Sequence, residues 1–206
     1  MVFDPTDFDP PAAAGRWQTL TTKTVYDNPW MRVQQHDVRN PNGGPGVYGV
    51  MRPKSLAVGV VPIDDQGRVV LVGQPRFACG DYSWEVPEGG APFDEDPQQG
   101  AARELREETG LEAQYWQDIL HLQLSNSLTD ERAVCFLAWG LSTGTAAPDL
   151  TEQITVMRRP FAHVLEAISR GLIQDAMTVA MVLRVHQMVV AGDVPPDVAG
   201  LIKRSL

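Results

Sequence analysis

The residues of this chain that could do chemistry are concentrated in the run GGAPFDEDPQQGAARELREETGL, from Gly89 to Leu111. Three carboxylates, Glu104, Glu107 and Glu108, stand at i, i+3 and i+4, a spacing that on a helix projects all of them from one face. Like charges so close repel, and the arrangement becomes favourable when a hard divalent cation sits among them. Mg²⁺ takes oxygen ligands at ~2.1 Å and keeps several waters that substrate phosphates can replace. Arg103 is placed to pair with Glu107 one turn on, or with Glu95 in the preceding loop, and so to hold the carboxylates in position. An acidic helix with such ion pairs is by itself an ordinary solvated face. What sets this run apart is the joint spacing of Gly89, Glu95, Arg103, Glu104, Leu105, Glu107, Glu108, Gly110 and Leu111.

The element that must carry these acids is a helix over residues 97–109. Asp96 can cap its N-terminus, Pro97 suits the first turn, and Gly110 can stop it in a left-handed conformation. Ala101, Ala102 and Leu105 form the apolar side that packs the helix down.

Around that helix the chain reads as short β segments followed by helices. Residues 1–15, rich in Asp, Pro and Ala, are expected to be a disordered leader. Residues 17–26, 31–39 and 47–52 read as an N-terminal antiparallel β segment, spanning 16–54 with its flanks. Residues 56–63 and 68–74 read as a hairpin closed by Asp64-Asp-Gln-Gly, and a loop leads from there to Trp84-Glu-Val-Pro-Glu-Gly. Strands are expected at 113–125, 132–141 and 153–159, with helices at 161–170 and at 176–190, the latter capped by Asp175. Met177, Met181, Leu183 and Met188 in the last helix read as packing residues. This order of elements fits an α/β/α sandwich on a mixed β-sheet over 55–206.

Composition bounds the function. The 206 residues suffice for one good core, and a net charge of -9, from 26 Asp+Glu against 17 Lys+Arg, argues against nucleic-acid and anionic-membrane partners. The N-terminus lacks the basic and apolar regions of a signal peptide, so a cytoplasmic location is expected. Cys79 and Cys135 lack metal-ligand spacing and read as reduced thiols. The four histidines are scattered and read as surface or helix residues.

The run from Gly89 to Leu111 resembles the complete Nudix box, and the resemblance extends over about residues 25–190. Gln74-Pro-Arg-Phe and the Glu85-Val-Pro-Glu-Gly element are similar to those of ADP-ribose pyrophosphatases and related nucleoside-diphosphate-sugar hydrolases. The long N-terminal β segment and the stretch from Gly171 to Thr178 are similar to theirs as well. The resemblance implies a Nudix α/β/α sandwich, a Mg²⁺ or Mn²⁺ cofactor, a small-molecule nucleotide-sugar substrate, and a homodimer; in those relatives the N-terminal segment is exchanged between the subunits, and whether it is exchanged here stays open. It implies Glu104 and Glu108 as main metal ligands, Glu107 beside them, and the Glu88 carbonyl oxygen as a backbone ligand. Arg103 would position the acids, and Glu152, on the loop before the strand at 153–159, would be the general base. Arg76 would contact the diphosphate or the base-bearing half, with Glu85, Asn126, Glu131 and Trp30 as further substrate-binding candidates.

One departure concerns the loop bordering the terminal sugar. Those hydrolases carry Ser-Pro-Gly where this chain has Ser125-Asn126-Ser127, while the acidic end of the pattern, Glu131, is kept. The substrate therefore stays open between ADP-ribose and another nucleoside-diphosphate sugar. A Nudix hydrolase of a nucleoside triphosphate, a dinucleoside polyphosphate or coenzyme A, and a sensor without turnover, are the alternatives. Trp17, Tyr26, Trp30 and Phe77 each offer a face for base stacking, although each reads more readily as core.

Overall fold

The computed structural model describes residues 8–10, 15–144 and 153–206. Most of the expected leader and the expected base Glu152 lie outside the described residues. The chain divides into two compact units, one made of residues up to Lys54 together with Ser127–Asp130, the other of Ser55–Asn126 and Glu131–Leu206.

The first unit is an antiparallel meander of β1 (Gln18–Asp27), β2 (Met31–Arg39) and β3 (Pro45–Pro53). Side-chain amides shape its turns: Asn28 Oδ1 accepts from the N–H groups of Trp30 and Met31, and Asn40 Oδ1 from those of Asn42 and Gly44. The segment Ser127–Asp130 joins this unit through Tyr48, whose hydroxyl donates to the Ser127 carbonyl at 2.6 Å, and through an Arg52–Asp130 ion pair. All ten residues of β1 are exposed. The expectation that Trp17, Tyr26 and Trp30 belong to a core is therefore corrected, since they are 55%, 51% and 76% exposed, with Trp17 and Tyr48 meeting edge to face. Three strands have too little surface to bury aromatics on both faces.

The second unit has a sheet of order β10-β5-β4-β9-β8. Its strands are β4 (Leu56–Ile63), β5 (Arg68–Arg76), β8 (Leu111–Gln123), β9 (Arg132–Thr143) and β10 (Thr155–Pro160). β4 and β9 run parallel and the other neighbours antiparallel, which makes the sheet mixed. Its central strands carry apolar residues on both faces, as a strand covered on both sides must. Val58 and Val60 of β4, Val70 of β5 and Phe136 and Ala138 of β9 face α1 (Pro97–Thr109). Val61 and Ile63, Val69 and Leu71, and Cys135 and Leu137 face the opposite layer, made of α2 (Phe161–Ser169), α3 (Ala176–Ala191) and α4 (Pro196–Arg204). The period of two thus sorts one sheet into two cores and yields the expected α/β/α sandwich.

The hairpin expected between β4 and β5 is a fork. The strands pair only beside the turn, at Ile63↔Val69, where Asp64 Oδ1 accepts from the N–H groups of Gln66 and Arg68. Beyond that they diverge. The edge of β5 is taken by β6 (Asp81–Glu85) and that of β4 by β7 (Glu88–Ala91), two short strands where a loop is expected from the sequence. α4 is a further element that the sequence reading omits, and Leu183 is 48% exposed while Met177, Met181 and Met188 are buried. Phe77, expected in the core, is fully exposed beyond β5.

The two thiols differ in environment. Cys79 is exposed, whereas burial, with the nearby Glu88, Asp118 and Asp175 carboxylates adding to it, pushes the Cys135 thiol up to about 12. A thiol-specific disulfide reagent at pH ~8 should therefore titrate one thiol per native chain and a second only after denaturation. Rapid reaction of both in the native protein would contradict this burial.

Candidate active site

The acids are presented by α1, and its ends form as their chemistry dictates. Asp96 accepts a hydrogen bond from Gln99 N at 3.1 Å, Pro97 occupies the first turn, and Gly110 closes the helix at φ 69°. Ala101 and Leu105 are fully buried beneath it, which turns Arg103, Glu104 and Glu107 outward, toward the loop between β7 and α1.

Arg103 joins these groups. Its Nη1 donates to Glu104 Oε1 at 2.8 Å and Glu107 Oε2 at 3.1 Å, and its Nη2 to the Gly90 carbonyl at 2.9 Å and Glu95 Oε2 at 3.4 Å. Both pairings open to Arg103 in the sequence are made at once. Surrounding carboxylates hold the guanidinium firmly protonated against its partial burial. A cleft of about 550 Å³ lies beside it, lined by Gly90, Pro92, Asp94, Glu95 and Arg103.

The strand β7 forms the floor of the cluster. The Glu88 N–H donates to Glu108 Oε2 at 3.1 Å, fixing the buried third acid of the helix. The Glu104 carboxylate occupies the space beside Gly89: a Cβ there would lie 2.3 Å from its carboxyl carbon and 2.5 Å from both its oxygens, so a side chain would displace it. Acids from one helix face, brought against a backbone cradle with Gly89 hollowed out for Glu104, make an all-oxygen donor set suited to a hard divalent cation. The residues fit such an ion.

Glu88 alternates with Gly89 along the strand, so its side chain lies on the α3 face, where its Cβ approaches Gly59. There it meets a second carboxylate group. One oxygen each of Glu85, Glu88 and Asp175 lie within 4.8 Å of one another. Arg76 supplies the counter-charge: its Nε donates to Glu85 Oε1 at 2.9 Å, its Nη2 to Glu85 Oε2, and Nη2 lies 3.8 Å from Glu88 Oε1. Glu85, only 3% exposed, holds Arg76 edge-on. Burial raises the Glu88 pKa well above its ordinary value, and the Asp175, Glu85 and Glu108 charges add to the effect against Arg76. Asp175, which the sequence marks only as a helix cap, thus belongs to this group, a placement hidden by its distance along the chain.

The structure brings together Arg103, Glu104, Glu107, Glu108, Glu88, Glu85 and Arg76. Asn126, in the turn after β8, is exposed, and Glu131, just ahead of β9, is half-buried with its pKa raised by burial. Trp30 belongs to the first unit.

Comparison with known proteins places this geometry. Residues 53–176 match the NUDIX domain, and residues 17–51 match the nucleoside diphosphate sugar hydrolase N-terminal domain. An ADP-ribose pyrophosphatase of Mycobacterium tuberculosis is 32% identical over 174 residues, covering 82% of this chain and 83% of that protein. A methanol dehydrogenase activator of Bacillus methanolicus is 29% identical over 167 residues, covering 80% and 90% respectively. The crystal structure of an ADP compounds hydrolase shares the fold, with a TM-score of 0.79 at 23% identity over 87% of this chain and 97% of that one.

Two measurements test this arrangement. Gly89→Ala should displace the Glu104 carboxylate and weaken Mn²⁺ binding by about tenfold or more while the protein stays folded; unchanged affinity would contradict the cradle. The raised pKa of Glu88 means that stability from this residue is complete below about 4.5, the ordinary value, and declines as pH rises towards the raised value. In EDTA the melting temperature of Glu88→Gln should accordingly gain on that of the wild type as pH rises above about 4.5. A gain on acidification would reverse the assignment.

Proposed function

The chain belongs to the NUDIX family, and on that premise we propose that it hydrolyses the diphosphate bridge of ADP-ribose or another nucleoside-diphosphate sugar, releasing a nucleoside monophosphate and a sugar phosphate. The observation that carries this reading is the Arg103 cluster, in which one guanidinium spans Glu104, Glu107, Glu95 and the Gly90 carbonyl. The match of residues 17–51 to a nucleoside diphosphate sugar hydrolase N-terminal domain, and the mycobacterial ADP-ribose pyrophosphatase, support the substrate class.

Glu104 and Glu108 would hold Mg²⁺ or Mn²⁺ with the Glu88 carbonyl oxygen, and Glu107 stands beside them. When bound, the ion supplies positive charge to the bridging phosphates and acidifies the attacking water. Arg103 keeps Glu104 and Glu107 in place beside the position the ion would take. Arg76 commits Nε and Nη2 to Glu85, which leaves Nη1 to donate to a phosphoryl oxygen. Glu152 takes the proton from the water as its oxygen bonds to phosphorus and the bridging P–O bond breaks. The exposed Trp30 offers a stacking face to the base, and Asn126 and Glu131 offer polar contacts to the terminal sugar. The fully exposed β1, with Leu20 and Val25 among its apolar residues, supports association with a second copy of the chain.

A phosphatase-coupled assay with Mg²⁺ tests the reaction. Intact nucleoside-diphosphate sugars resist the phosphatase and their products do not, so released phosphate reports cleavage of ADP-ribose, GDP-mannose and UDP-glucose; a nucleoside triphosphate, which the phosphatase attacks directly, is assayed without it by chromatography of the nucleoside monophosphate formed. Turnover of a sugar nucleotide, reduced at least about 10²-fold in Glu108→Gln, is expected. Turnover of the triphosphate alone would overturn the substrate class. Light scattering should give the mass of two chains, and a monomer would remove the dimer.

A further inference from the structure

The floor of the ion site contains a link that the sheet cannot hold by itself. β6 ends at Glu85, paired with Val72, and β7 begins at Glu88, paired with Gly59. Val86 and Pro87 lie between them. Proline has no N–H, and its carbonyl accepts from Val60 N at 3.0 Å. The remaining donor is the N–H of Val86, a residue with no exposure, and a buried N–H needs a partner. It donates to the hydroxyl oxygen of Thr178 at 3.0 Å, across 92 residues of sequence.

Thr178 is itself fully buried and doubly engaged. It sits in the first turn of α3, where its own N–H donates to Asp175 Oδ2 at 2.6 Å. The same residue thus directs the Asp175 carboxylate and pins the strand link. What depends on that link is on either side of it. Glu85 orients Arg76, the Glu88 N–H holds Glu108, and Gly89 makes room for Glu104. A shift of the link moves groups that meet the ion and the substrate, although Thr178 touches neither.

We propose that Thr178 is a positioning residue for the ion site: its hydroxyl, by holding Val86, sets the backbone on which Glu108 and Glu104 converge. The kinetic part of this inference rests on the hydrolase reading above; the ion-binding part does not.

The test compares full-length Thr178→Ser, Thr178→Cys and Thr178→Val with the wild type, all below their melting temperatures. Serine keeps the acceptor, cysteine offers a weak one, and valine offers none at nearly the same volume. Mn²⁺ affinity is read from the electron paramagnetic resonance signal of the free ion, and kcat and KM from ADP-ribose hydrolysis at saturating Mg²⁺. Thr178→Ser should bind Mn²⁺ within about twofold of the wild type and Thr178→Val about tenfold or more weakly, with Thr178→Cys between them. The kcat should fall in the same order with KM for ADP-ribose little changed. A folded Thr178→Val with wild-type Mn²⁺ affinity would show that the bond serves stability alone and would overturn the proposal. So would a Thr178→Ser as weak as valine, which would assign the effect to the methyl group. If Thr178→Val does not fold, the serine and cysteine variants decide by the same criterion. A wild-type protein that binds Mn²⁺ yet leaves ADP-ribose, GDP-mannose and UDP-glucose intact would sink the hydrolase reading while the Mn²⁺ series still settles the role of Thr178.

Discussion

The site depends on how one guanidinium is shared. Glu104, Glu107 and Glu95 would repel one another at this spacing, and Arg103, only partly exposed, reaches all of them while its second nitrogen also grips the Gly90 carbonyl. The bond to Gly90 ties the helix to the strand beneath it, so neutralisation of charge and fixing of geometry are done by the same side chain. Lysine, with a single ammonium, could offer charge but not this fork. One cation against these carboxylates leaves the cluster anionic, and that residual charge is what a divalent ion answers.

The sheet supplies the other half of the arrangement by failing to close. β4 and β5 part after a single pair, and the short strands β6 and β7 occupy the edges they expose. Strand alternation then separates two chemistries on neighbouring residues: Gly89 faces the α1 acids while the Glu88 side chain faces Arg76, Glu85 and Asp175. The α1 acids and the Arg76 guanidinium therefore share one stretch of backbone.

The helix could be read from the sequence because every signal it uses is local. Asp96, Pro97 and Gly110 mark its ends, and Ala101 and Leu105 mark its buried side. The fork could not be read, because hydrophobic periodicity says that a segment is extended and not which neighbour it pairs with. β7, with two glycines in four residues, has little intrinsic strand preference and exists through pairing with β4. α4 was within reach, since Val198, Ala199 and Ile202 have helical spacing after a proline start. Thr178 and Asp175 were not, since their partners at Val86 and Glu88 lie roughly ninety residues away, a separation for which one sequence carries no marker.

The direction of α1 has a consequence of its own. The peptide dipoles of a helix place about half a negative charge at its C-terminus, where cationic side chains normally gather. Glu104, Glu107 and Glu108 instead crowd the last two turns before Gly110, against the two basic residues Arg103 and Arg106. Backbone and side chains thus add their fields at one point instead of cancelling. The helix carries a local electrostatic frustration that shorter side chains or a reversed orientation would remove. A divalent cation held among these acids would relieve it, and its affinity would then draw on the same repulsion.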